Sequence, residues 1–265
     1  CLLFLAGLAA CSAAGAQVTP TPNPDRPWYV FAQQEVEHRT NAFSGASGSE
    51  TSDTIWTTSL GGGVNARFGR QRAYANAALS HTRYTKTDGV NGQGYNLDAG
   101  LNWETLYNLS GNFSAAAGRR QADFSTGINT LILKNNETFE ELRARALWGG
   151  VSLLGIEATA GWRQVGFSAP EFAAREYEQG NASAGVIYRP SGALTLGTGL
   201  AVQYTDYDVP LFGQTEPESS KRRDLYVTAD WTATGASNVG ARLNFGKTDF
   251  DRANADDFSG LTGAA

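Results

Sequence analysis

The sequence predicts an all-β protein, an antiparallel up-and-down transmembrane β-barrel of the outer-membrane type. About eleven strands of a larger barrel are predicted, so the sheet is open as a fragment. Three observations predict this class. Apolar and polar residues alternate along most of the chain, as in strands with one apolar and one polar face. The connections between these stretches are alternately short and long, and tryptophans mark the ends of the apolar faces.

Composition excludes two other classes. The 265 residues carry a net charge of −5 and a pI near 5.1, and this acidic balance argues against a nucleic-acid partner. Beyond the first seventeen residues no long apolar run occurs, which excludes a helical membrane protein. The mean hydropathy of −0.32 does not exclude a barrel, because alternation hides the apolar face from an average.

The N-terminal segment differs from the remainder. Residues 1–16 are predicted to be a signal peptide, because an apolar run precedes the cleavage pattern Ala14-Gly15-Ala16. An alternative is a lipoprotein site at Cys11, and which of the two is used is left open. Residues 17–27 are predicted to form a proline-rich periplasmic arm. Residues 28–265 are predicted to be the N-terminal part of the barrel domain.

The first five strands differ in how strictly they alternate. Alternation is weak in the first strand, and the second carries Trp56 and Leu60 on its apolar parity. The fourth alternates without exception from Tyr95 to Trp103. The fifth carries Phe113 on its apolar parity. These predicted strands are 28–39, 54–68, 73–85, 94–105 and 109–119.

The later strands oppose apolar residues to charged ones. The sixth sets Leu142 against Arg143, and the tenth sets Val227 against Asp224. No strand is predicted in residues 253–265. The predicted strands of this half are 138–148, 154–164, 179–189, 194–205, 223–233 and 239–248.

Connection lengths predict the orientation. Outer-membrane barrels have tight periplasmic turns and longer extracellular loops. Short connections such as 106–108 and 190–192 are therefore predicted to be periplasmic, and the long connection at 125–136 is predicted to be extracellular.

Each parity of the strands has a predicted environment. Tryptophans at both ends of the apolar parity predict an aromatic girdle at the two membrane interfaces. The girdle residues are Trp56, Trp103, Trp148, Trp162 and Trp231. Opposite charges on the polar parity predict a hydrated lumen crossed by ion pairs. The tyrosines of this lumen either stack on sugar rings or fill space. The lumen-facing candidates are Tyr74, Tyr84, Asp98, Asn102, Glu104, Glu141, Arg143, Arg145, Arg163, Tyr226 and Asp230.

No catalytic, cofactor or metal site is predicted. His38 and His81 are isolated from each other and from other metal-ligating residues. The Gly246-Lys247-Thr248 tripeptide lacks the upstream glycine of a phosphate-binding loop, because position 241 is Ala241. Outer-membrane lipid is the expected partner.

Residues 52–104 resemble the EpsL-type outer-membrane proteins encoded in bacterial exopolysaccharide operons, within a broader family of β-barrel porins. The similar features are Ser52-Asp53-Thr54, the turn at 68–72, and the Gly-Tyr-Asn-Leu and Leu-Asn-Trp motifs of 94–103. The resemblance implies a non-enzymatic role in exopolysaccharide biosynthesis or export, with the polymer and periplasmic export components as partners. A general diffusion porin is the alternative, followed by a barrel enzyme that modifies lipid or polysaccharide.

Overall fold

A computed structural model describes most of the chain beyond the N-terminal segment. The described residues are 27–45, 47–122, 134–210, 216–234, 237–251 and 257–264. The signal peptide predicted at 1–16 and almost all of the arm predicted at 17–27 lie outside the described residues, as does most of the connection at 125–136.

Twelve strands form one antiparallel sheet, in which each strand pairs with its neighbours in chain order. This confirms the predicted all-β, up-and-down fold. The sheet is open, with the first and last strands at its two edges. The strands are β1 (Trp28–Arg39), β2 (Asp53–Phe68), β3 (Gln71–Tyr84), β4 (Gly92–Glu104), β5 (Leu109–Gln121), β6 (Asn136–Trp148), β7 (Leu154–Phe167), β8 (Tyr177–Tyr188), β9 (Leu194–Asp206), β10 (Ser219–Thr234), β11 (Ser237–Phe250) and β12 (Phe258–Ala264).

Strand β12 corrects the prediction that residues 253–265 hold no strand. Its seven residues contain two glycines, and their alternation is too short to mark a strand in the sequence. Pairing with β11 runs from Arg242 opposite Ala264 to Thr248 opposite Phe258. The exposed edge of β11 supplies the hydrogen-bonding groups for this pairing, which local alternation does not reveal.

The two faces of the sheet have opposite character. In β1 to β11, every exposed large hydrophobic side chain lies on one face, which we call the apolar face. Val30 is 77% exposed, Leu79 67% and Leu200 65%. The alternate positions form the polar face, whose side chains are generally less exposed. A soluble protein buries such residues, whereas a barrel presents them to lipid.

The connections alternate in length as predicted, with the tight ones after β2, β4, β6, β8 and β10. A small buried hydrophobic cluster lies at the end with the long connections. It consists of Ala42, Phe43, Ile55, Tyr84 and Val90. Two short 3₁₀ helices lie in long connections of the described chain, and no helix there is long and apolar enough to cross a membrane.

Candidate functional site on the polar face

The register of the sheet brings the predicted lumen residues to one face. One row of directly paired residues runs Arg72, Asn102, Asn112, Arg145 and Thr159 across β3 to β7. Directly paired residues point to the same side of a sheet. By the same pairings, all of the following lie on the polar face: Tyr74, Tyr84, Asp98, Asn102, Glu104, Glu141, Arg143, Arg145, Arg163, Tyr226 and Asp230.

Ion pairs neutralise most arginines of the polar face. Arg143 pairs with Glu141 on its own strand, and Arg145 reaches Glu157 on β7 at 2.5 Å. In both pairs the carboxylate is the less exposed partner, so each acid lies against the wall and each guanidinium extends into solvent. Similar pairs join Arg120 to Glu137, Arg222 to Asp224 and Arg70 to Glu104. The face is therefore hydrated and close to neutral, rather than strongly charged.

Arg163 on β7, unlike these arginines, forms no ion pair among the described residues. Its Nε is buried without a hydrogen-bond partner among the described residues. It lines a pocket of about 360 Å³ together with Arg143, Arg145 and Asn181. A buried donor without an acceptor is costly, so this pocket favours a ligand with an acceptor oxygen.

Aromatic rings of the polar face lie over glycines of adjacent strands. A Cβ added to Gly100 would lie 2.5 Å from both Cζ and Oη of Tyr74, so only glycine fits beneath this ring. The hydroxyl of Tyr226 lies close to Gly199 on β9 and to Gly185 on β8, where an added Cβ would also clash with it. Sequence reasoning missed three further rings in such positions, because the partner glycine lies on another strand. They are Tyr29 over Gly63, Phe31 over Gly61 and Phe139 over Gly118.

The contact at Gly63 organises a hydrogen-bond chain across four strands. With no side chain on β2 to obstruct it, Tyr29 of β1 crosses Gly63 and donates its hydroxyl to Oδ1 of Asn76 at 3.0 Å. Asn76 Nδ2 in turn donates to Oδ1 of Asp98 at 2.9 Å. The glycines at 61–63 therefore serve close packing of the wall.

The three tyrosines predicted to face the lumen differ in what covers their rings. Tyr226 has its ring covered by the guanidinium of Arg242, whose Cζ lies 4.3 Å from the ring centroid. Tyr84 is only 6% exposed and stacks on Phe43 with ring centroids 5.6 Å apart. Tyr84 therefore lies on the polar face, the side that its parity predicts, but it presents almost no open surface. Tyr74 alone of the three has no other ring or guanidinium stacked on it among the described residues.

All five predicted girdle tryptophans lie on the apolar face: Trp56, Trp103, Trp148, Trp162 and Trp231. Trp162 donates its indole N–H to Oε1 of Glu178 at 2.7 Å, as a ring at a polar boundary would. Tyr95 and Trp103 lie on this face at opposite ends of β4. At roughly 3.3 Å per residue they are about 26 Å apart along the strand, which at a barrel tilt of about 35–45° spans roughly 20 Å of the apolar band.

A buried carboxylate, which the sequence analysis named only as part of the Ser52-Asp53-Thr54 motif, anchors the long-connection end. Asp53 has no exposed surface. Its Oδ1 accepts the backbone N–H groups of Thr54 at 2.7 Å and of Thr85 and Lys86 at 3.0 Å. Its Oδ2 accepts the N–H of Thr87 at 3.1 Å, and Lys86 Nζ reaches the carbonyl of Ser52 at 2.8 Å. The Ser-Asp-Thr motif at the start of β2 therefore holds the connection after β3 in place.

Comparisons with known proteins bear on the fold. No family model and no curated protein matches the chain. The solved structure of the copper transporter OprC is 12% identical with a TM-score of 0.51, over 89% of this chain and 41% of OprC. The FrpB iron transporter from Neisseria meningitidis is 9% identical with a TM-score of 0.52, over 91% of this chain and 44% of FrpB.

The chain has the fold of outer-membrane β-barrel proteins, as an open sheet of twelve strands in the described residues. It spans less than half the length of either of these solved structures. The fold and the exposed apolar face together place the protein in the bacterial outer membrane.

Proposed function

We propose that the polar face lines a conduit for an extracellular polysaccharide, and that the protein serves exopolysaccharide export without catalysing a reaction. The proposal is supported by the resemblance of residues 52–104 to EpsL-type proteins and by the chemistry of this face. A polymer in transit requires many weak contacts rather than one tight site.

The observation that carries the proposal is the position of Tyr74. Its ring lies over Gly100 on the wall, the residue is only partly buried, and no other ring or guanidinium stacks on it among the described residues. Asp98 and Arg72, both near Tyr74 on the polar face, supply an acceptor and a donor for sugar hydroxyls. An aromatic platform flanked by such groups suits a pyranose ring, whose faces are apolar and whose rim is polar.

A general diffusion porin is the second candidate, and the ion pairs favour it. Arg143 with Glu141 and Arg145 with Glu157 make a hydrated wall that would also suit small solutes. The two candidates differ in whether the wall recognises sugar.

Conductance of the purified full-length protein in a planar bilayer separates them. With Tyr74 intact, the cognate polysaccharide should block the current transiently. The Tyr74→Ala variant should shorten the blockades while leaving the open conductance similar. Tyr95→Ala, which removes the same side-chain type from the apolar face, is the matched control and should behave as the native protein.

The other outcomes discriminate as well. A steady current indifferent to the polysaccharide would favour the porin. Absence of a pore together with hydrolysis of polysaccharide or lipid would overturn both candidates in favour of a barrel enzyme.

A further inference from the structure

A second polar pocket lies on the other side of the sheet, at the long-connection ends of β3 to β5. It has a volume of about 230 Å³ and is lined by His81, Gln93, Arg119 and Lys134, with Asn91 and Gly92 completing the wall. His81 pairs directly with Gln93, and Arg119 pairs with Tyr95, two residues further along β4. All of these strand positions belong to the apolar face, so the pocket is separate from the site on the polar face.

The charge of this pocket is not neutralised by the part of the chain that the structure describes. No carboxylate among the described residues lines it. Arg119 and Lys134 make no hydrogen bond or ion pair within the described residues. The neighbouring Arg120, which points to the polar face, pairs with Glu137 at 2.9 Å. The contrast between two consecutive arginines shows that the positive charge on the apolar side lacks a counterion within the described chain.

The position of the pocket indicates which anion it meets. Arg119 lies beside Tyr95, and Leu97 and Ala117 continue the same face toward the middle of the sheet. The pocket therefore lies where the apolar band ends and lipid headgroups begin. Arginine and lysine at this depth bind phosphate well, because the guanidinium offers paired donors and the surroundings are only partly hydrated.

Other parts of the same rim differ in charge. A paired row of apolar-face residues on β6 to β9 contains Glu140, Gln164, Glu178 and Asp206. An anionic headgroup is repelled there and is attracted to β3–β5.

We propose that the pocket formed by His81, Gln93, Arg119 and Lys134 binds a phosphate group in the headgroup of an anionic glycolipid of the outer leaflet. The lipid tails then extend along Leu97 and the neighbouring apolar face, and the headgroup lies beside the long connections. The proposal does not depend on what passes through the lumen. It requires only that the apolar face meets lipid and that the long connections are extracellular.

The test uses the full-length protein purified in detergent and titrated with lipid A, with bound lipid measured by native mass spectrometry. The double variant Arg119→Gln/Lys134→Gln should bind lipid A at least tenfold more weakly in its tightest step, a loss of ~1.4 kcal/mol or more from the two contacts together. The matched control is Arg120→Gln, which removes a neighbouring arginine from the opposite face and should not change this step. Heat-modifiable gel migration verifies that every variant is folded.

Two further arms identify the source of the phosphate. Lipid A stripped of its phosphates should bind the native protein as weakly as intact lipid A binds the double variant. Inorganic phosphate in large excess should not displace intact lipid A, because it lacks the tails. Equal binding of the stripped lipid, displacement by inorganic phosphate, or an equal loss in the Arg120→Gln variant would each overturn the proposal.

Discussion

Removal of the Asp53 carboxylate should release the connection after β3 while leaving the sheet paired. The carboxylate is fully buried and accepts N–H groups from Thr85, Lys86 and Thr87, in addition to that of Thr54. In Asp53→Ala the N–H groups of Lys86 and Thr87 lose their acceptor, whereas the N–H of Thr85 keeps the carbonyl of Thr54 at 3.0 Å. The strand pairing of β2 with β3 uses other groups and should persist.

The magnitude follows from the number of donors. An unsatisfied buried donor costs about 1–3 kcal/mol, and two such donors, the N–H groups of Lys86 and Thr87, lie in the connection itself. The connection can swing outward and rehydrate them, so we expect the free energy of opening this connection to fall by about 3–5 kcal/mol, the range seen when buried charged networks are broken. Asp53→Asn retains one acceptor oxygen and should cause about half of this change.

Trypsin cleavage after Lys86 measures the opening in the folded full-length barrel. Lys86 is held by Nζ contacts to the backbone carbonyl and hydroxyl of Ser52, each 2.8 Å long. A decrease of about 3 kcal/mol should accelerate cleavage more than a hundredfold. Asp88→Ala is the matched control in the same connection, because the Asp88 side chain makes no hydrogen bond or ion pair within the described residues. Cleavage of Asp53→Ala at the rate of the control would refute the anchoring role.

Two other changes test the faces and the packing of the wall. Leu101→Arg places a charge on the apolar face between the midplane and the Trp103 end, and should cost roughly 1–3 kcal/mol, whereas Asn102→Arg on the polar face should be tolerated. Equal effects of the two on heat-modifiable migration would contradict the assignment of faces. Gly63→Ala would drive a methyl group to 2.6 Å from Cε1 of Tyr29 and should lower stability in urea titration by about 1–3 kcal/mol. Gly89→Ala meets no atom within 4 Å and should be nearly neutral, so a similar loss at both positions would remove the steric explanation.

Alternation alone determined much of the fold. A strand turns successive side chains to opposite faces, so sequence parity is sufficient to group Asp98 with Asn102 and Leu97 with Leu101. The same local rule separates Trp103 from Glu104. Connection lengths then order the strands, because short links permit only neighbouring antiparallel pairs.

The side-chain contacts that only the tertiary structure decided depend on the register between strands. Tyr74 lies over Gly100, and Arg242 contacts the ring of Tyr226. Both contacts join neighbouring strands, and the register decides which residues of those strands stand opposite each other. Asp53, which is buried, and Arg119, which has no counterion among the described residues, look like other charged residues in the sequence. Their environments come from connections and strands distant in the chain, and burial and ion pairing are properties of that assembled surface rather than of any local pattern.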